Sequence, residues 1–375
     1  MSEQDQPGRR RRRWPRVLLA VVAVWVVGEL VALVILSQLE PLPADDIARL
    51  YRPHPYRVYM FAARRRSARG HCSINSHGFR GPEIELQKPL GTVRIACLGS
   101  STTFDDTATT DGHTYPAHLE RFLREHYVKH GGRPARIEVI NAGVPGYTSL
   151  ESLIYFESKL LDYELDIAIF HHGLDDALFM ACFREFAGDY VHARKVFRLP
   201  KPHLWERSVL VSLLLPNQRS IANPYRSNRA ATLAQLTVAD PERLSVDEAE
   251  MRRCFRPERL APFARNVRNF IYVARGHGVA PILSTVVCNP QLGFLADVVG
   301  QINTRIREIA DSHEVPCVDL AREMAWSAGA FVDDWHLRDC PEGLERKGKI
   351  FAEHLIRNRL VDQVLENRRQ GEKDR

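Results

Sequence analysis

Much of what would point this chain toward other chemistries is missing. Its seven cysteines (Cys72, Cys97, Cys182, Cys254, Cys288, Cys317 and Cys340) include no CxxC pair, which argues against a zinc site or a thioredoxin-like motif. The odd count leaves at least one thiol unpaired even in an oxidising compartment, and Cys97 and Cys317 sit in apolar runs as small buried hydrophobes. His71, His77, His171 and His172 are spaced for no standard ligand set. No Gly-x-Gly-x-x-Gly occurs, and no lysine comes after the one strand-to-helix serine turn, which removes the signatures of nucleotide loops. Internal repeats and low-complexity tracts are also lacking. The remainder is an ordinary globular mix, 26% charged and 45% hydrophobic over 375 residues, enough for one large core with room for an anchor and an insertion.

The formal charge of +6 is concentrated at the start of the chain. Residues 1–16 carry six arginines against Glu3 and Asp5, leaving only +2 for everything else. No nucleic-acid module comes after them, so nucleic acid is not an expected partner. Next to this head lies an apolar run from Val17 to Leu36, broken only by Gly28 and Glu29, long enough to cross a bilayer core. It exceeds a usual signal-peptide apolar region, and no small-x-small cleavage site comes after it. The expectation is a single-pass anchor over residues 17–37, with the basic head cytoplasmic and the bulk of the chain extracytoplasmic, that is, periplasmic. A glutamate at mid-bilayer costs about 2.5–3.5 kcal/mol, so Glu29 should be paired, protonated or near an interface.

After a stem over 38–92, rich in Pro, Arg and Tyr, short apolar runs alternate with helical patterns. Strands are expected at Val93–Leu98, Ile137–Ile140, Ile167–His171, Pro281–Val286 and Pro316–Val318. Helices are expected at about Tyr115–His130, Leu150–Leu161, Leu260–His277, Leu295–Ser312 and Glu345–Leu365. The alternation implies βαβ units and an α/β fold, a three-layer flavodoxin-like arrangement with about five parallel strands. The domain should span 93–368, with a short tail at 369–375 and an insertion at about 186–258. Within the insertion, Ser208–Leu215 is Leu-rich; it either packs on the core or meets substrate or membrane.

Chemistry in such sheets gathers beyond the carboxyl ends of the strands. Gly99-Ser100-Ser101-Thr102-Thr103 follows the first strand, where a serine on a tight turn exposes its hydroxyl beside backbone N–H groups. Asn141–Thr148 follows the second; Pro145-Gly146 there is either a plain turn or a source of a free N–H. Gly173-Leu174-Asp175-Asp176 follows the third, and its carboxylates suit acid–base work or capping of the next helix. Near the C-terminus, Asp333 lies three residues before His336, a spacing that lets a carboxylate orient an imidazole base. Trp335 beside it could line an acyl pocket or pack beneath the loop.

Together these segments resemble the SGNH (GDSL-type) hydrolases from about Asn75 to Leu355, the insertion apart. Asn75–Glu83 and Pro341-Glu342-Gly343 are similar to single-pass bacterial members. The resemblance implies Ser101 as nucleophile, Asp333 and His336 as the DxxH pair, and an oxyanion hole from the Ser101 and Gly146 N–H groups. The third segment departs from the family pattern: Asp175 stands where Asn would supply the remaining donor. An ionised carboxylate there donates nothing and repels the oxyanion, and losing one donor is worth about 10²–10³ in rate; a protonated one could still donate. The implied activity is that of a serine esterase, needing no cofactor or metal, acting on an acyl ester of a carbohydrate, acetyl first. Acyl transfer to a surface polysaccharide and a weakly active binding module are the alternatives.

Overall fold

The computed structural model describes residues 14–37, 50–67, 70–129, 134, 136–198, 208, 210–211 and 247–373. The first thirteen residues, including five of the head's arginines, and most of the insertion lie outside them. The chain divides into two compact units, one of residues 1–46 with 200–232, the other of 47–199 with 233–375.

In the first unit a helix runs Trp14–Ser37. Its stretch Trp14–Ile35 is long and apolar enough to cross a membrane. Glu29 is paired: its carboxylate accepts from the Ser208 hydroxyl and, at 3.3 Å, from the Leu210 N–H. Leu210 also sits where a Cβ on Gly28 would be. The described part of the Leu-rich segment thus meets the apolar helix within this unit. Its remaining residues, 209 and 212–215, lie outside the described ones.

The second unit opens with two small hairpins in what the sequence presents as an irregular stem. Strands β1 (Tyr51–His54) and β2 (Val58–Phe61) pair antiparallel, as do β3 (Arg65–Arg66) and β4 (Ser73–Ile74). Then come β5 (Thr92–Gly99), β6 (Arg136–Gly143), β7 (Ile167–His171), β8 (Ala280–Ser284) and β9 (Cys317–Val318), parallel in the order β6-β5-β7-β8-β9. Every residue of β5 is buried, so its alternating side chains feed two cores. Val93, Ile95 and Cys97 join the layer holding Leu119, Leu123 and Phe351; Ala96 and Leu98 join the one holding Phe156, Phe270 and Ile302. This is the α/β/α sandwich expected.

The polar exception in β5, Arg94, is fully buried and fully partnered. It pairs with Glu138 on β6 at 2.8 Å and donates to the carbonyls of Tyr163, Glu85 and Leu86. A buried guanidinium survives only when its donors are met this way. The expected terminal helix is two, Arg346–Arg357 and Leu360–Lys373, because Arg359 adopts φ +53° and ends the first. Residues past Phe186 begin as core, since Tyr190, Ala193 and Phe197 join the second layer.

Candidate active site

Ser101 opens a one-turn helix, Ser101–Phe104, directly off the end of β5. The turn lies hard against β6: a Cβ on Gly143 would sit 2.2 Å from the Phe104 backbone nitrogen, so only glycine fits. Among the described residues, neither the Ser101 N–H nor the Gly146 N–H is engaged by a protein acceptor.

The late loop comes to this turn. His336 Nε2 lies 2.8 Å from Ser101 Oγ, and His336 Nδ1 lies 2.7 Å from Asp333 Oδ2. The other oxygen of Asp333 accepts the N–H groups of His336 (2.7 Å) and Trp335 (3.0 Å), closing a tight loop. Burial pushes the Asp333 carboxyl upward, but those N–H groups and the imidazole outweigh it and hold the acid below its ordinary range. The loop is pinned from outside as well. Val332 donates to the His336 carbonyl, Asn289 donates to Asp334 Oδ1, and Thr107, shortly after the Ser101 turn, donates to the Leu337 carbonyl at 2.6 Å. Trp335 is partly buried and packs against the core.

Beneath the Ser101 turn lies a buried cation that sequence reading missed. Lys347 is 1% exposed, donates to the Thr102 carbonyl at 2.5 Å, and sits over the Tyr115 ring. Burial pushes it down to about 8. Asp105, which closes the turn at φ +57° and accepts the Tyr115 N–H at 2.6 Å, is pushed up by burial to about 7, against the pull of Lys347. The only sequence trace of Lys347 is its place on the apolar face beside Ile350 and Phe351, where a lysine is out of pattern.

Gly146 has φ +76° and sits third in the turn Val144-Pro145-Gly146-Tyr147, closed by Tyr147 N–H to Val144 C=O at 3.1 Å. The following helix, Ser149–Ser158, starts from a capping box of Thr148 and Glu151. Glu151 also holds Arg194 at 2.7 Å, and Arg194 in turn donates to the Gly146 carbonyl at 2.6 Å. The strong interactions with Arg194 and Thr148 keep the buried Glu151 carboxyl low despite its burial.

Neither carboxylate after β7 caps a helix: Gly173 holds the N-cap position of Leu174–Ala181 and no side chain caps it. Asp176 instead accepts the Ser149 N–H (3.0 Å), the Ser149 hydroxyl (2.6 Å) and the Tyr190 hydroxyl (2.7 Å). Asp175 is partly buried and turned to the site. Burial raises its carboxyl, opposed by a hydrogen bond from Ser100 and by the charges of Arg194 and His336. His171 and His172 are buried in the core, not at the surface. Three of the expected groups are thus in one hydrogen-bonded chain, Asp333–His336–Ser101, with Gly146 and Asp175 on the neighbouring strand ends.

A model of the GDSL-like lipase/acylhydrolase family matches residues 97–339. Similar solved structures include a lipolytic protein of the G-D-S-L family from Desulfitobacterium hafniense, 12% identical over 70% of this chain and 99% of that one, TM-score 0.42. Another is a lipase/acylhydrolase from Enterococcus faecalis, 15% identical over 70% and 95%, TM-score 0.40. A third is an acetylxylan esterase from Geobacillus stearothermophilus, 14% identical over 71% and 93%, TM-score 0.41. Among curated proteins none matches the chain.

Proposed function

The chain belongs to the GDSL-like lipase/acylhydrolase family, and on that premise we propose a membrane-anchored serine esterase that removes small acyl groups, acetyl first, from a carbohydrate. The observation that carries this reading is the continuous relay from Asp333 through His336 to the Ser101 hydroxyl, with both links under 3 Å. In it, Ser101 Oγ attacks the ester carbonyl while His336 Nε2 takes its proton. The developing oxyanion is held by the Ser101 and Gly146 N–H groups, with Asp175 contributing when protonated. His336 then returns the proton to the departing alkoxide, leaving an acyl-serine. It next deprotonates water, whose attack releases the acid and restores Ser101. Asp333 fixes the ring's tautomer and steadies the imidazolium.

The small acyl group is supported by the narrowness of the cavity beside the Ser101 turn, lined by Thr102, His171, Leu174, Val286, Trp335 and Lys347, which has room for about one water-sized group. The helix Trp14–Ser37 serves as anchor in this reading. The arginine head keeps its own end cytoplasmic, which sends the catalytic unit to the outer side where acetylated surface sugars lie.

A fluorophosphonate probe applied to membrane fractions tests the reading. The expected result is a labelled band, resistant to alkaline wash, that vanishes in Ser101→Ala, alongside acetate release from an acetylated polysaccharide. No label on the folded wild type, or equal label on Ser101→Ala, would sink it.

A further inference from the structure

We propose that Tyr59, on the hairpin preceding the sheet, is a positioning residue that aims the Gly146 N–H into the oxyanion site; the inference rests on the reading of Gly146 as an oxyanion donor. Pro145 at the second position of the turn, Gly146 at the third with φ +76°, and the closing bond from Tyr147 to Val144 make it a type II turn. Types I and II differ chiefly by a half-rotation of the central peptide, here Pro145–Gly146, and that peptide carries the N–H in question. Proline at the second position suits both types, and glycine, without a Cβ, passes between them at little cost. The turn sequence alone therefore leaves the direction of the donor open.

Tyr59 closes that choice. Its hydroxyl donates to the Pro145 carbonyl at 2.7 Å. In a trans peptide the C=O and N–H point in opposite directions, so gripping the oxygen from behind holds the Gly146 N–H forward. A flipped peptide would forfeit this bond and leave the buried O–H without its acceptor, the Arg194 guanidinium meeting only the phenol's oxygen, and an unmet buried donor is costly. The next peptide is held as well, through Arg194 and the Gly146 carbonyl at 2.6 Å.

Tyr59 is itself built into place. It has no solvent exposure. Its ring packs on Tyr51, Tyr147 and Phe197 at centroid distances of 5.6, 5.2 and 5.7 Å. Tyr147, the last residue of the turn, returns a hydrogen bond from its hydroxyl to the Tyr59 carbonyl. Val58, immediately before it, holds φ +64°, a conformation that a β-branched residue adopts only under constraint. Burial pushes the phenol's ionisation far upward, so Tyr59 remains a donor across the working pH range. The hairpin that precedes the sheet is thus part of the catalytic apparatus and not a spacer.

The test compares wild type with Tyr59→Phe, which keeps the ring contacts and loses only the hydroxyl. Tyr127→Phe, which removes a hydroxyl that meets Asp362 and takes no part in the Gly146 turn, is the control. In the full chain, with turnover normalised to folded protein, Tyr59→Phe should lower kcat on a small acetyl ester by about tenfold. KM should stay within about twofold, and phosphonylation of Ser101 should slow in parallel. Tyr127→Phe should stay within about threefold of wild type in kcat. A purely structural tyrosine would lower the melting temperature and leave kcat of the folded fraction unchanged; that outcome overturns the inference while the esterase reading stands. A wild type that does not label at Ser101 overturns both.

Discussion

At the scale of single residues, the decisive position is Asp175. The proposed reading places an amide donor where this chain has Asp175, a carboxyl that burial raises and that Ser100, Arg194 and His336 pull back. Only its protonated form donates to an oxyanion; the ionised form repels one. Turnover of the wild type should therefore fall as pH rises through the raised Asp175 pKa. Asp175→Asn should remove that fall and lift kcat on its alkaline side by roughly tenfold or more, given the 10²–10³ that one oxyanion donor is worth. Rates on p-nitrophenyl acetate between about pH 6 and 9 would check it; a variant no faster than wild type at any pH would leave Asp175 without a role as a brake. This position was legible in sequence because a motif fixed what to expect there. Tyr59, Arg194 and Lys347 were not, because each acts on a backbone carbonyl, and a carbonyl leaves no trace in residue identity.

Among the elements, the helix Ser149–Ser158 links stability to the site. Its capping box uses Thr148, fully buried, and Glu151, which also holds Arg194 over the Gly146 carbonyl. Thr148→Ala should destabilise the fold by about 1–2 kcal/mol, the range for a lost N-cap, read as a lower urea midpoint with an unchanged slope. A midpoint that does not move would show that Thr148 contributes no cap. The strands and most helices were readable because apolar runs and 3.6-residue patterns survive in any context. The β1–β2 hairpin was not. Its four-residue strands, the first of them Tyr, Arg, Pro and His, carry no period of their own and are fixed by what they pack on. The break in the C-terminal helices hangs on one left-handed residue, Arg359, which no pattern marks.

For the molecule as a whole, the carboxyl end of the sheet buries two adjacent imidazoles. His172 is 2% exposed, packs on the Phe170 ring, and has no partner for Nε2 among the described residues; burial pushes it down to about 3, against a small upward pull from Glu151. The unfolded chain binds this proton below about pH 6.5 and the folded one does not, so His172 removes stability as pH falls through that value. His172→Phe should accordingly gain about 2 kcal/mol more at about pH 5 than at about pH 8, relative to wild type. Urea unfolding at both pH values checks this, and an equal difference at the two would refute it. The sequence by itself determined the alternation of strands and helices, the apolar segment fit to cross a membrane, and which hydroxyl, imidazole and acid stood at strand ends, since these follow from periodicity and local spacing. Tertiary structure alone decided that residues 235 positions apart meet at 2.8 Å, that Glu29 finds Ser208 and Leu210, and which way the Pro145–Gly146 peptide faces. Those outcomes depend on contacts between distant segments, and short-range pattern carries no information about them.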